Sequence, residues 1–177
     1  MHLHYLYGSK NKFQIKTMRK LGVILIFFSL LQACDSNVVF SEYQSLDKAN
    51  WKQDRLIAID LAIQDTLALH NLYINLRNTK DYPYSNLFLI AKMSFPDNTI
   101  VVDTLEYEMT DANGRFLGSG FSDIKENKLF YKENVRFKQK GIYRFEVKQA
   151  MRERGKITGI SKLKGVSDVG ISVEVVE

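Results

Sequence analysis

The chain of 177 residues contains a single cysteine, Cys34, and its neighbours indicate what its thiol can do. Leu31-Gln32-Ala33-Cys34 resembles a bacterial lipobox, with Leu three positions before the cysteine and a small residue directly before it, although Gln32 is not the commonest residue there. In such a box the thiol receives a diacylglycerol, cleavage before the cysteine frees its amine, and the amine takes another acyl chain such as palmitate. One acyl chain anchors a protein weakly, whereas two or three hold it stably. The sequence therefore predicts lipidation at Cys34 and attachment to membrane lipid through it.

The residues before Cys34 have the features of a secretory signal. Met18-Arg19-Lys20 precedes a mostly apolar run, 21–31. This run fits a signal-peptide core of about 7–15 residues and is too short for a membrane-spanning helix of roughly 20. An ordinary secreted protein with an incidental cysteine is the alternative, but the position of the only cysteine favours a lipoprotein. We assign residues 1–33 to an N-terminal extension and lipoprotein signal peptide, with Met18 as a possible true start, and residues 34–177 to a single lipid-anchored domain.

Charge is distributed unevenly along the chain. The net charge of +5 arises from 25 Lys and Arg against 20 Asp and Glu, and the whole excess lies before Asp35. A basic chain suggests nucleic acid or an anionic membrane as partner. Because the excess belongs to the segment predicted to be removed, we expect no nucleic-acid partner. The lone cysteine also excludes a disulfide scaffold and a Cys-rich zinc site.

Residue patterns that carry catalysis are scarce in the body of the chain. It has no Gly-x-Ser-x-Gly elbow, no P-loop and one histidine, His70, which leaves little for a Ser-His-Asp site. Glu106 and Glu108 share a strand face and could pair as acid and base, but such a face is usually solvated. Asp111-Ala112-Asn113-Gly114 superficially resembles a calcium loop, yet no Glu closes it at the twelfth position. We therefore predict a protein that is not an enzyme and has neither metal nor cofactor.

An aromatic turn, Tyr82-Pro83-Tyr84-Ser85-Asn86, is the stronger candidate for a contact site. Pro83 fixes its own φ and favours an extended Tyr82. Exposed tyrosine rings could stack on sugars or touch a protein, so Tyr82, Pro83, Tyr84 and Asn86 are the predicted contact residues. The alternative, that the rings fold back over the end of the domain, stays open. Trp51, the only tryptophan, is expected to be a packing anchor.

Period-2 alternation of apolar and polar residues dominates the body and predicts β-strands. The expected strands are 38–43, 56–63, 72–77, 86–95, 100–109, 116–118, 129–131, 135–137, 142–150 and 169–176. Turns are expected at 96–98, 111–114 and 139–141, while 45–53 is a short helix or the approach to a sheet. Short strands at this spacing indicate an all-β, two-layer antiparallel β-sandwich of jelly-roll or immunoglobulin-like type.

The order of these features resembles the gliding-motility lipoprotein GldH family of Bacteroidota. The similarity begins with the lipobox and covers nearly all of the chain after it. Its residues are Phe40, Tyr43, Trp51, Leu76-Arg77-Asn78, Tyr82 to Leu87, Asp103-Thr104, Asp111, Gly114, Gly118, Gly120, Gly141 to Phe145, Gln149 to Arg152 and Asp168 to Ile171.

The resemblance implies a cell-envelope lipoprotein needed for gliding and linked to type IX secretion, with other envelope proteins as partners. We expect the anchor to lie in the outer membrane; residues 35–38 do not specify the leaflet. One reading is a non-enzymatic component that acts by protein–protein contacts, which predicts an apolar patch with a polar rim. The other is a lipid-anchored, glycan-binding module, which predicts an aromatic-lined concave face.

Overall fold

A computed structural model describes residues 37–120 and 123–176, and its regular structure is almost entirely strand. The predicted all-β class and the antiparallel sheets are confirmed. Within these residues no helix is both long and apolar enough to cross a membrane. The strands are β1 (Val38–Ser45), β2 (Asn50–Lys52), β3 (Ile57–Ile63), β4 (His70–Thr79), β5 (Asn86–Ser94), β6 (Ile100–Glu108), β7 (Ile124–Val135), β8 (Gly141–Gln149), β9 (Lys162–Lys164) and β10 (Val166–Val175).

Two four-stranded sheets and one short ribbon contain all of these strands. The order in sheet I is β1-β10-β4-β7, the order in sheet II is β3-β8-β5-β6, and β2 pairs with β9. The N-terminal and C-terminal strands are therefore neighbours, with Val38 opposite Glu174 and Ser45 opposite Asp168.

Alternation along the strands builds the core. In β3, Ile57, Ile59, Leu61 and Ile63 are buried, while the residues between them point outward. One hydrophobic cluster takes buried side chains from both sheets, and aromatic pairs connect them. The ring centroids of Tyr131 on β7 and Phe145 on β8 are 5.8 Å apart, an ordinary distance for a favourable aromatic pair.

The three predicted turns are present. Asn98 adopts a positive φ of 66° and donates its N–H to Phe95 O at 3.0 Å. Gly114 has φ 77° and donates its N–H to Asp111 O at 3.0 Å. Gly141 has φ 143°, in a region that glycine tolerates well.

Three local expectations differ from the structure, and the open one for 45–53 is resolved. The runs 129–131 and 135–137 are not separate strands, because β7 is continuous over 124–135. It continues through the polar residues between the two runs, where its register opposite β4 is irregular. Phe116 to Gly118 form no strand; Phe116 makes a single bridge to Thr110. The segment 45–53 holds one 3₁₀ turn, Asp47–Ala49, followed by β2. The short strands β2 and β9 carry too few residues for alternation to be visible.

The connections divide the molecule into two ends. The connections after β3, β5 and β7 lie at the same end of the sheets as Asn37, where the described chain begins, and we call this the tether end. The connections after β1, β4, β6 and β8 lie at the opposite end, the distal end, and include the β2–β9 ribbon. Since β1 has eight residues and a strand rises about 3.3 Å per residue, the ends are roughly 26 Å apart.

Trp51 anchors the distal ribbon and should be a large contributor to stability. The side chain is fully buried and its Nε1–H donates to Arg55 O at 2.9 Å. We expect Trp51→Ala to lower the free energy of unfolding by about 3–5 kcal/mol, measured by urea denaturation. Trp51→Phe keeps most of the ring volume and should cost clearly less; equal losses in both variants would contradict a packing role.

Candidate functional site

The predicted aromatic turn lies at the distal end, and its first ring belongs to the core. Tyr82 is only 4% exposed, and its hydroxyl donates to Asn86 O at 2.7 Å. Burial raises the pKa of this phenol, with a smaller contribution from Tyr84. The sequence left open whether the rings of this turn are exposed or fold back over the end of the domain, and the ring of Tyr82 folds back.

The rest of the turn is more accessible. Pro83 and Ser85 are exposed, Tyr84 and Asn86 are half-buried, and the Tyr82–Pro83 peptide bond is trans. The ring of Tyr84 packs edge-on against Tyr82 at a centroid distance of 6.0 Å. Asn86 donates to Glu106 at 3.0 Å. The most accessible residues of the turn are therefore Pro83 and Ser85, with Tyr84 and Asn86 partly accessible beside them.

A hairpin after β6 lies against this turn. Met109 N–H donates to Ser85 O at 2.7 Å, and Leu117 N–H donates to Met109 O at 3.0 Å. Phe116 packs edge-on against Tyr82 at 6.4 Å, and Leu117 is 57% exposed. We call Pro83, Tyr84, Phe116 and Leu117 the distal aromatic patch. It combines half-buried rings with an exposed Leu and thus offers apolar area to a partner.

Sequence reasoning missed a cluster on the outer face of sheet I. The Tyr43 hydroxyl donates to Glu126 at 2.6 Å, and the Arg77 guanidinium lies 4.4 Å from the centroid of the same ring. Arg77 also pairs with Glu126 at 3.4 Å. Burial and the bond to Glu126 raise the pKa of Tyr43. Arg77 and Tyr43 were visible in the family resemblance, but their meeting across the sheet requires the strand order.

Gly170 makes that cluster possible. A Cβ built on it would lie 2.2 Å from Glu42 O and 2.9 Å from Tyr43 Cγ. Gly170 faces Tyr43 in the β1–β10 register. The absence of a side chain on β10 leaves room for the Tyr43 ring to lie across the sheet toward β7.

Asp103 joins the two sheets at one side of the molecule. Its carboxylate, on β6, accepts from Tyr131 at 3.1 Å and pairs with Lys132 at 2.9 Å, both on β7. Tyr107, also on β6, donates to Phe130 O at 2.6 Å. Burial and the nearby Asp103 raise the pKa of Tyr107 to about 12. These groups are positioned to hold β6 against β7.

The residues considered for catalysis occupy structural or solvated positions. Glu106 and Glu108 are exposed on β6. His70 is buried, its ring lies 5.3 Å from Phe137, and its Nδ1 has no hydrogen-bond partner among the described residues. Asp111 accepts from Asn113 N–H and Arg115 N–H, both at 2.9 Å, and such bonds, chiefly that from Arg115, lower its pKa. Among residues 37–120 and 123–176 no group of side chains is arranged to hold a metal ion.

Cys34, the predicted lipidation site, lies outside the described residues. The described chain begins three residues later, at Asn37, whose carbonyl accepts from Val175 N–H at 2.8 Å.

Tyr82 is one of the tyrosines that should make stability depend on alkaline pH. Because its pKa is raised in the folded protein, the unfolded chain loses the phenol proton first. Stability should therefore fall above about pH 10, by at most about 1.4 kcal/mol per pH unit for this residue. Tyr82→Phe should cost about 0.5–1.5 kcal/mol at neutral pH through the lost hydrogen bond, yet lose stability less steeply above pH 10. Urea unfolding at several pH values checks this, and parallel pH profiles would contradict it.

Gly165 tests the close packing beneath the aromatic turn. Its φ is +85°, and an added Cβ would lie 2.3 Å from Tyr82 N. Gly155 is a matched control, since its φ is +79° with nothing within 4 Å of an added Cβ. Gly155→Ala should cost about 1 kcal/mol of backbone strain, and Gly165→Ala should cost at least about 1–3 kcal/mol more because of overpacking. Similar losses by thermal unfolding would show that the approach to Tyr82 is not tight.

Comparison with known proteins gives a consistent result. The family described as GldH lipoprotein matches residues 38–173. The gliding motility lipoprotein GldH of Flavobacterium johnsoniae is 46% identical over 153 residues, covering 86% of this chain and 94% of the relative. The gliding motility lipoprotein GldH homolog of Christiangramia forsetii is 44% identical over 155 residues, with the same two coverages.

Among solved structures, VP2 in the infectious bursal disease virus subviral particle is similar over 81% of this chain but only 34% of its own, about a third of its length. At 14% identity and a TM-score of 0.35, this similarity is too weak to support any inference about the chain. The family match and the two relatives are sufficient: the chain belongs to the GldH family of gliding-motility lipoproteins.

Proposed function

We propose that this lipoprotein acts without catalysis, as a component of the gliding apparatus that is anchored through Cys34 in the outer membrane and contacts other envelope proteins. The domain assignment is part of the proposal: residues 1–33 carry the signal peptide and residues 34–177 form the mature protein. The link to type IX secretion is part of it as well and rests on the family resemblance. The proposal rests on the arrangement of the domain: the described chain begins at the tether end, whereas the connections that contain the β2–β9 ribbon lie at the distal end.

The tether is short. Three peptide steps separate Cys34 from Asn37, and fully extended chain spans at most about 3.6 Å per residue, so these two residues are at most about 11 Å apart. The tether end is then held near the headgroups. The distal end, roughly 26 Å further along β1, faces away from the anchoring leaflet. A partner in the envelope would meet the distal end first.

The distal aromatic patch is the proposed contact for that partner. Pro83 and Leu117 are exposed, and the rings of Tyr84 and Phe116 are half-buried against Tyr82. Aromatic residues are enriched at protein interfaces. Asp81, which pairs with Lys164 at 3.7 Å, and the pair between Lys80 and Asp123 at 2.9 Å supply charged groups near the turn. This combination supports a protein partner.

The glycan-binding alternative has less support. It requires aromatic rings that line a concave surface. Two distal cavities, of about 340 and 420 Å³, have no aromatic side chain among the described residues that line them. In the described part of the distal end, the rings of Tyr84 and Phe116 pack against Tyr82 instead.

We also infer that the domain is a two-layer sandwich with jelly-roll topology. Without the short ribbon strands, the eight long strands counted along the chain follow the orders 1-8-3-6 and 2-7-4-5. Paired first and last strands and two four-stranded sheets match a jelly roll of two Greek keys. An immunoglobulin sandwich instead places its first two strands side by side in one sheet.

Replacing the lipobox cysteine tests the anchor. Cys34→Ala should abolish incorporation of labelled palmitate and release the protein from the membrane fraction, because the acyl chains provide the attachment. Ser36→Ala leaves the box intact and should keep both label and fractionation. A Cys34→Ala protein that still takes up label, or still fractionates with membranes, would refute the anchor.

Site-specific crosslinking tests the partner face. In a lipidated protein the thiol of Cys34 is consumed, so an introduced cysteine is the only free thiol. Ser85→Cys, beside the distal aromatic patch, should form adducts with envelope proteins in intact cells when treated with a thiol crosslinker. Lys138→Cys at the tether end is the matched exposed control. Equal adduct patterns from both positions, or none from Ser85→Cys, would be evidence against a distal protein contact.

A further inference from the structure

A second feature of the distal end lies apart from the aromatic patch. A cavity of about 340 Å³ opens between the 3₁₀ turn after β1 and the β2–β9 ribbon. We call it the cation pocket because four of its lining residues are Lys48, Lys52, Arg55 and Lys162. Its volume falls within the range of about 300–1,000 Å³ that is usual for small-ligand sites.

The pocket's positive charge is not neutralised by protein carboxylates. Nine other cations of the described residues form ion pairs. Within residues 37–120 and 123–176 none of the four pocket cations does so. Asp47 lines the cavity but has none of them within 4.0 Å. Four positive charges and one negative charge give the lining a formal charge of +3.

The fold forces like charges together here. Lys52 and Lys162 stand directly opposite each other in the β2–β9 register. Side chains at such positions have Cβ atoms about 4.5–5.5 Å apart, and like charges there are destabilising. At the neighbouring pair of positions in the ribbon Trp51 faces Leu163, and both side chains are fully buried. The ribbon is therefore held in register by its apolar face, and its two lysines cannot separate by slipping.

The other two cations are Lys48, on a backbone turn of fixed geometry, and Arg55, which is held by a side-chain contact. Lys48 and Ala49 have positive φ angles of 52° and 50°, which cost free energy for non-glycine residues. Gly165 N–H donates to Ala49 O at 2.8 Å and holds this strained turn. The Arg55 guanidinium donates to Gln44 at 3.4 Å, and its backbone carbonyl accepts the indole N–H of Trp51. The pocket is thus held by the core beneath it.

We propose that the cation pocket binds a ligand carrying two phosphate groups. A phosphate monoester carries about −1.5 to −2 charges near neutral pH, so two of them match a lining of +3. Lysine ammonium groups act as point charges that suit phosphate, and the single arginine adds a bidentate donor. Binding would relieve the repulsion between Lys52 and Lys162. The inference is independent of the gliding role and of the aromatic patch.

Trp51 provides a direct readout, because it is the only tryptophan of the chain and lies beneath the pocket. The lipoprotein in detergent micelles is titrated with inorganic pyrophosphate, and binding is followed by Trp51 fluorescence and by calorimetry. We expect saturable binding to the wild type. The double variant Lys52→Gln/Lys162→Gln should weaken it by about tenfold or more.

The matched control removes the same charge from the tether end, through Lys138→Gln/Lys140→Gln, and should change the affinity less than about twofold. If the ribbon double variant does not fold, Lys48→Gln and Arg55→Gln replace it. No binding to the wild type, or equal weakening in both double variants, would overturn the proposal. Citrate binding as tightly as pyrophosphate would overturn the phosphate assignment and point to an acidic peptide.

One further arm distinguishes the sources of the phosphate. A lipid with two headgroup phosphates is added in separate micelles, because the pocket lies at the distal end, away from the micelle that holds the acyl chains of the protein. Competition with pyrophosphate would identify a phosphorylated lipid headgroup as a ligand the pocket accepts. Pyrophosphate binding without such competition would assign the pocket to a soluble phosphorylated compound. Failure here while Cys34→Ala still releases the protein from membranes would leave the anchor and the gliding role unaffected.

Discussion

The insertion of the last strand between the first and the fourth is the constraint on which the structure depends. β10 pairs with β1 along one edge and with β4 along the other, and Val169 to Val173 are buried without interruption. A strand buried on both faces reads as continuous apolar sequence. Sheet I therefore closes only when the C-terminus of the chain is present. Pairing at such separation in sequence is slow and cooperative, so a truncation before β10 removes the centre of the sheet.

The same arrangement fixes what each end of the domain can do. Because β1 begins beside the end of β10, the short tether enters next to the C-terminal edge of the sheet, where Val175 and Val176 bind Asn37 and Leu69. Every second connection must then lie at the far end. Those connections hold the aromatic patch, the hairpin after β6 and the ribbon, and they contribute Trp51 and Tyr82 to the core. Anchoring and recognition are thereby separated by the length of one strand.

Alternation of apolar and polar residues was sufficient to predict most of the long strands, because each buries one face. It could not predict β2 and β9, which have three residues each and depend on Trp51 and Leu163 meeting across a long connection. Nor could it decide whether Tyr82 is exposed, since burial there comes from Phe116 and Gly165, far away in sequence. The Tyr43–Arg77–Glu126 cluster could not be predicted for the same reason, because its members come from three strands and become neighbours only when those strands are in place.

The total charge of the sequence does not show where charges of one sign come together in the fold. The body of the chain from Asp35 onward has equal numbers of acids and bases, which suggests no electrostatic preference. In the fold several strand cations pair with nearby carboxylates, as Lys92 does with Glu146 and Lys128 with Glu174, both at 2.6 Å. Such pairs at the surface contribute little to stability individually, yet they remove local charge. Where β2 meets β9 the register supplies no acid, so a neutral domain contains a positive cavity.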